Sequence, residues 1–247
     1  MGLPAVIAGT GMERLPEPCK TVRRAVETPS GPVELFECRC DSAHFLFLPG
    51  HGRDHDRPPH EIDSPAHIAA LAQIGTDRIL ATNAVGSLRP EIRAGSLLIP
   101  NDFIEFTRTR PAVHGGVFVC VDGPWFETPA EARRFSRWGG DVIGMTGVHE
   151  AIYARELGIC YATLAIVTNL AAGLSDAPVH HDGVLAATGA AEPHPRGVLQ
   201  GCDSRSPSAP RWRMRRRVTS AIATHPPRRQ PAPAPPKAAR PSRRPAR

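Results

Sequence analysis

The residues of this chain that could do chemistry sit in short segments rich in glycine and alanine. Gly9-Thr10-Gly11 follows the apolar run Ala5–Ala8, and a glycine-flanked threonine offers backbone N–H groups and a hydroxyl to an oxyanion. Ala81-Thr82-Asn83-Ala84-Val85-Gly86-Ser87 closes a second apolar run. At Asn83-Ala84 the small residues let a backbone amide approach a ligand. Thr146, after Met145, precedes a helical pattern, so its hydroxyl and the helix N-terminus both favour negative charge there. Gly123-Pro124-Trp125-Phe126-Glu127-Thr128-Pro129-Ala130-Glu131 supplies an aromatic ring and a carboxylate acceptor. Asn169 follows a strand-like run and presents both a donor and an acceptor. Such groups suit an anion with a flat, hydrogen-bonding partner beside it, held at strand ends as in an open α/β sheet.

Taken together these segments resemble the trimeric purine nucleoside phosphorylases, a group that includes the methylthioadenosine and methylthioinosine phosphorylases. The resemblance covers the chain to about Ala187. It implies phosphate-dependent cleavage of a nucleoside to free base and ribose 1-phosphate, as in purine salvage. Inorganic phosphate is then a co-substrate and no other cofactor is needed. Thr10, His51, Asn83, Ala84 and Thr146 match phosphate contacts, and Met145 matches a residue packed on the ribose. Phe126 would stack on the purine or sugar, with Ala171 alongside. Asn169 would bridge N7 and O6 of a 6-oxopurine, and Glu127 would accept from N1–H; adenine lacks that proton, so both positions favour hypoxanthine or guanine. These two carry the catalytic role, stabilising the departing base. His181 matches a donor to the 5′-hydroxyl, which favours inosine and guanosine over methylthionucleosides. The family assembly is a homotrimer, with Thr107–Gly116 a candidate contributor to a neighbouring pocket.

One position departs from the family pattern. In Pro49-Gly50-His51-Gly52-Arg53, Gly50 stands where the family has arginine. Losing a charge-assisted forked contact costs about 1.5–3 kcal/mol, one to two decades of phosphate affinity. Three other readings therefore stand beside the first: methylthioinosine or methylthioadenosine phosphorolysis, an impaired relative that only binds purines, and nucleic-acid binding through a basic tail.

The elements that must position these residues alternate in type. Strands are expected at Ala5–Ala8, Val33–Cys38, Ala43–Leu48, Arg78–Thr82, Ser96–Ile99, Val117–Val121, Asp141–Ile143 and Tyr161–Thr168. Several are continuous apolar runs, which suits strands covered on both faces. Ser64-Pro65 reads as a cap and first helical proline for a helix through Ala72. Thr128-Pro129-Ala130-Glu131 reads as a capping box for a helix stopped at Gly139. Gly147–Glu156 is a third helix, ending at Gly158. The fold class expected is a single α/β domain over residues 1–187, with a central mixed sheet flanked by helices.

Beyond it the composition changes. From Ala186 onward 14 Lys and Arg stand against 2 Asp and Glu, a charge of +12, which leaves −6 on the first 185 residues of a chain whose total is +6. The basic character belongs to the tail, so it argues no basic patch on the domain and decides against nucleic-acid binding as its role. Residues 188–247, rich in Pro and Arg, are expected to be disordered; a change of reading frame in a GC-rich gene and a genuine extension both fit that composition. Six cysteines without a Cys-x-x-Cys pair suggest buried, reduced thiols and a cytoplasmic setting. No run reaches the roughly 20 apolar residues of a membrane span. His51, His55, His60 and His67 lie in a proline-rich stretch that matches no metal motif, so no metal is expected.

Overall fold

The computed structural model of the chain describes residues 2–14, 18–40, 43–100, 102–105, 116–175 and 178–191. The strands are β1 (Ala5–Ala8), β2 (Lys20–Thr28), β3 (Gly31–Arg39), β4 (His44–Pro49), β5 (Arg78–Ser87), β6 (Leu97–Leu98), β7 (Asp102–Glu105), β8 (Val117–Cys120), β9 (Val142–Gly144) and β10 (Cys160–Leu170). The helices are α1 (Ser64–Gln73), α2 (Pro129–Arg137), α3 (Gly147–Glu156) and α4 (His181–Ala191). All strands belong to one mixed sheet in the order β2-β3-β4-β1-β5-β9-β8-β7, with β10 paired along β5 and short β6 paired to β10.

Strand β5 is where the sheet branches. β10 runs parallel to it from Cys160↔Arg78 to Leu170↔Ser87, which occupies one edge throughout. The other edge is shared: β1 pairs with Ile79–Ala81 and β9 with Gly86 and Ser87. Strand β1 is buried on both faces, as its unbroken apolar run predicts. Ala5 and Ile7 face a core with Ile68 and Leu71 of α1 and Ala154 of α3. Val6 and Ala8 face the opposite core with Phe36, Phe47 and Ile166. Further cores lie around Val85, Phe118 and Val167, and under α2 around Leu88, Phe135 and Ala171. Branching thus sets the tip of β1 beside the middle of β5, and β9 takes over the same edge beyond it.

The capping box of α2 is present: Thr128 Oγ1 accepts from Glu131 N, and the Glu131 carboxylate accepts from Thr128 N at 2.8 Å. Gly139 follows in the left-handed region at φ 93°, as a helix stop requires. At α1 the cap is Asp63 rather than Ser64. The Asp63 carboxylate accepts from Ala66 N at 2.9 Å, while Ser64 is buried as the first helical residue. Two expected strand ends also move. Asn83-Ala84 lies in the middle of β5, and Asn169 lies inside β10.

Three elements were not expected. Strand β2 is an edge strand hydrated along most of its length, so it carries no apolar signature; its pairing to β3 is reinforced by Arg23–Glu34 and Arg24–Glu37 ion pairs. Strand β7 is four residues long. Helix α4 continues the domain to Ala191, past the expected boundary at Ala187. The later tail, with its expected disorder, lies outside the described residues. The thiol expectation needs correction: Cys19 and Cys40 form a disulfide. They flank the Lys20↔Arg39 pair at the open end of the β2–β3 hairpin, which is why two cysteines so far apart in sequence meet. Cys38 and Cys120 are buried and form no disulfide, and Cys160 is exposed. No described helix is long and apolar enough to cross a membrane.

Glu37 on β3 is buried, and Arg39, Arg24 and His44 bond its carboxylate. These bonds lower its pKa from 4.5 to about 2. A depressed carboxylate pKa contributes stability that is present above the unfolded value and lost as pH falls through the folded one. Stability measured by urea unfolding is therefore expected to drop between about pH 4.5 and about pH 2, with a shallower drop in Glu37→Gln. Equal slopes would show that the cluster is energetically idle.

Candidate active site

The tip of β1 turns through Gly9-Thr10-Gly11, where Met12 N bonds back to Gly9 O. Gly9 lies so close to β5 that a Cβ there would stand 2.2 Å from Thr82 O. Its N–H donates to Thr82 Oγ1 at 3.0 Å. Gly11 has φ +80°, and a Cβ would meet Thr188 Cγ2 of α4 at 2.6 Å. Beside this turn lies the tip of β4, with Gly50 N bonded to Ala8 O at 2.8 Å. A Cβ on Gly50 would lie 3.1 Å from that same oxygen, so the two tips are fitted to a glycine there.

His51 links the tips. Its Nδ1 donates to Arg57 O at 2.9 Å, and its Nε2 lies 3.3 Å from Thr10 Oγ1. A carbonyl can only accept, so Nδ1 holds the proton of the neutral ring and Nε2 accepts the Thr10 hydroxyl. Burial lowers the His51 pKa. The neutral ring therefore offers no donor to an anion, and the imidazolium does. His55, at φ 54°, stacks on His51 with centroids 4.5 Å apart and donates from Nδ1 to Glu13 Oε1 at 2.6 Å. The His181 ring at the start of α4 lies 5.9 Å from the His55 ring. Among the described residues no three His, Cys, Asp or Glu are placed to share a metal ion.

On the other side of β5, Asn83 is buried and bonded at both ends of its carboxamide. Thr146 Oγ1 donates to Asn83 Oδ1 at 2.7 Å, and Asn83 Nδ2 donates to Thr163 Oγ1 at 2.6 Å. Thr146 is the cap residue of α3, yet its hydroxyl makes no capping bond. The first N–H groups of α3 are thus left without a side-chain cap, beside Thr146. A Cβ on Gly147 would lie 3.0 Å from Asn83 Nδ2, so glycine lets the helix start approach the strand. Ala84 follows on β5, partly exposed.

The remaining expected residues gather beyond the C-terminal half of β10. Glu127 is buried, and its Oε1 accepts from Ala172 N at 2.8 Å, which ties the Phe126-Glu127 segment to the chain just after Asn169. A register shift between Val167 and Asn169 makes Thr168 a bulge. The Asn169 amide donates to Leu170 O and accepts from Thr168 Oγ1, both at 2.8 Å, while a Cβ on Gly86 would lie 3.3 Å from its Nδ2. Met145 packs on Gly123, whose Cβ would meet its Sδ at 2.6 Å. Phe126 is partly exposed, and Ala171 is fully buried in the core under α2. Of the loop Thr107–Gly116, all but Gly116 lies outside the described residues.

Two groupings had no sequence signal. The Glu13–His55 pair joins loops 42 residues apart. The buried Glu150 accepts from Tyr161 Oη at 2.9 Å, and Tyr161 Oη lies 3.5 Å from Thr163 Oγ1. That extends the Thr146–Asn83–Thr163 chain to a carboxyl in the interior.

Comparison with known proteins bears on this arrangement. The sequence matches the Phosphorylase superfamily over residues 5–114 and 111–202, past Ala187 where the resemblance was expected to stop. It is 39% identical over 212 residues to a probable S-methyl-5′-thioinosine phosphorylase of Methanothermobacter thermautotrophicus, covering 73% of this chain and 76% of that one. It is 36% identical over 224 residues to the 6-oxopurine nucleoside phosphorylase of Pyrococcus furiosus, covering 73% and 84%. A methylthioadenosine phosphorylase from Schistosoma mansoni, solved with adenine, superposes with a TM-score of 0.74 at 27% identity, covering 81% and 90%.

The approach of α4 to Gly11 is open to a paired measurement. Gly75 also has positive φ, at +87°, but a Cβ there would meet nothing within 4 Å. Gly75→Ala therefore isolates the backbone strain, about 1–3 kcal/mol. Gly11→Ala is expected to lower the urea midpoint further, because it also displaces Thr188. Equal losses would mean that α4 is not seated on the Gly9–Gly11 turn.

Proposed function

The chain belongs to the Phosphorylase superfamily, and we propose that it transfers the pentosyl group of 6-oxopurine nucleosides, inosine and guanosine, to inorganic phosphate. The observation that supports this reading is the Glu127–Ala172 bond, because it ties a carboxylate acceptor to the chain three residues beyond Asn169. Asn83, which accepts from Thr146 at the start of α3, lies on β5 beside β10. One such grouping suits a purine edge and the other an anion.

Phosphate held by Thr10, the imidazolium form of His51, Asn83, Ala84 and Thr146 attacks C1′ as the bond from C1′ to the purine nitrogen breaks. The ribosyl group passes through an oxocarbenium-like state and the base leaves with the bonding electrons. Met145 and Phe126 pack on sugar and base. Asn169 turns its amide from Leu170 O to N7 and O6, exchanging one set of hydrogen bonds for another at little net cost. Glu127 accepts from N1–H. Positioning and preorganised dipoles supply most of the barrier reduction, and no group of the protein forms a bond to the sugar. We further propose a cytoplasmic homotrimer acting in purine salvage, in which a neighbouring copy closes each pocket.

A second reading, phosphorolysis of S-methyl-5′-thioinosine, is favoured by the 39% identical relative. It shares the base and differs only at the 5′ end, where exposed His181 stands near His55. Incubation with inosine, guanosine, adenosine, methylthioinosine and methylthioadenosine, with and without phosphate, separates these readings. Base release from inosine that requires phosphate is expected, with little release from adenosine. Asn169→Asp is expected to lower kcat/KM for inosine about ten- to a hundredfold while narrowing the gap to adenosine, since a carboxylate accepts from a 6-amino group and repels O6. Equal cleavage of adenosine by the unaltered protein would overturn the roles of Asn169 and Glu127. No phosphate-dependent cleavage of any of them would leave only a purine-binding relative.

A further inference from the structure

Glu150 is buried in the first turn of α3, and the proposed chemistry gives it no task. A carboxyl is a costly group to bury unless it has partners. It accepts from the Tyr161 hydroxyl at 2.9 Å, and from there the hydrogen bonds run back to the phosphate side. Tyr161 gives its single proton to Glu150, so its oxygen is left to accept from Thr163. Asn83 Nδ2 donates to Thr163, and Thr146 donates to Asn83 Oδ1. Every donor in this chain points inward, toward the carboxylate.

That polarity is wrong for an anion at Thr146. With its proton given to Asn83, the Thr146 hydroxyl turns an oxygen lone pair outward. An anion needs the proton. Thr146 can turn outward only if Asn83 donates to it, which requires the carboxamide to turn over and place Oδ1 toward Thr163. Thr163 must then donate to Asn83, Tyr161 to Thr163, and Glu150 to Tyr161. A carboxylate has no proton to donate; a carboxylic acid does. The reversal balances with one proton taken from solvent onto Glu150, and every other group keeps its own.

We propose that anion binding at Thr146 is coupled to proton uptake at Glu150, through reversal of the Tyr161–Thr163–Asn83 relay. The inference rests on the phosphate site proposed above, and makes Glu150 a positioning residue for it. Burial raises the Glu150 pKa to about 7, against a smaller lowering by the Tyr161 bond, so the proton is available near neutral pH. The elements packed on α3 carry His67 on α1 with Asp63 at its cap, Arg78 on β5, and Cys160 and Tyr161 on β10. Cys120 on β8 acts on Tyr161. On α3 itself are His149, Tyr153, Arg155 and Glu156. Of these, Tyr161 is bonded to Glu150.

His51 is the other buried base whose protonation would turn a threonine outward, here Thr10, and it is faced by His55, Glu13 and His181. Its contribution must be separated. Sulfate is the suitable probe, because it does not itself titrate near neutrality as phosphate does. Calorimetry of sulfate binding to the full chain, in buffers of differing ionisation enthalpy, counts the protons taken up. Near pH 7, wild type is expected to take up about half a proton more per sulfate than Glu150→Gln, rising toward about one as pH increases. The His51 contribution is common to both and cancels. Glutamine carries its own donor for Tyr161, so Glu150→Gln should bind sulfate with a flatter pH profile, while wild-type affinity falls up to about tenfold further per pH unit above pH 7. Tyr161→Phe leaves the carboxyl in place and cuts the relay, and should lose the same uptake. Uptake unchanged in either variant, in a protein that binds sulfate and cleaves inosine, overturns this inference alone. Failure of wild type to bind sulfate or phosphate at all overturns it together with the proposed function.

Discussion

The carboxamide of Asn83 is the constraint on which the rest of the site depends. It sits in the middle of the central strand, buried, where a polar group must find partners or cost the fold about 1–3 kcal/mol. Its two partners lie on different elements: Thr163 on β10 and Thr146 at the start of α3. Satisfying one side chain therefore fixes the register of β5 against β10 and the distance of a helix N-terminus from both. The same bond diverts the Thr146 hydroxyl from its ordinary capping role, and so leaves helix N–H groups beside it. One buried amide thus sets where a strand, its neighbour and a helix start meet.

Close approach is the second requirement, and glycine meets it at each junction. Gly9 lies against Thr82, Gly86 against Asn169, and Gly147 against Asn83, each nearer than an ordinary Cβ contact allows. The bulge at Thr168 adds a matching adjustment in β10. Without the extra residue Asn169 would point to the same face as Val167, into an apolar core; the bulge shifts the alternation and frees the amide from that face. Both devices serve one geometry, in which polar side chains of β5 and β10 find partners within the sheet while β1 beside them remains apolar on both faces.

This division explains what could be read in the sequence. The buried strands β1, β4 and β10 were legible because continuous apolar runs have few other uses, and α2 because Thr128 and Glu131 make a reciprocal cap. Strand β2 was not, because an edge strand of alternating charge looks like a loop until β3 supplies its partners. The Cys19–Cys40 bond was hidden with it, since the two meet only once that hairpin closes. Asn83 was read as a strand end because a polar residue after an apolar run usually is one; here a second strand and a helix satisfy it in place. The turn through Gly9-Thr10-Gly11 was legible, since small residues have to be contiguous in sequence to make a turn. The relay through Asn83 had no such signature. Thr163 stands 80 residues from Asn83, and Glu150 stands 11 from Tyr161, with no spacing that marks them as one unit.

The interior carboxyl remains the strongest departure from what packing alone would select. A buried acid contributes little to stability, and an apolar residue of similar volume commonly does as well or better. Glu150 is retained in a helix whose other buried residues are Gly147, Val148 and Ala154. Simple satisfaction of Tyr161 does not account for it, because a phenol can be satisfied by any acceptor, including a backbone carbonyl or an uncharged amide. What a carboxyl adds is the ability to be either acceptor or donor at one position, according to whether it holds a proton. Of the side chains in this chain of contacts, hydroxyls can reverse by rotation and the amide by turning over. Each only transmits a direction imposed at its ends. Thr146 stands at one end, and a carboxyl that can hold or release a proton stands at the other.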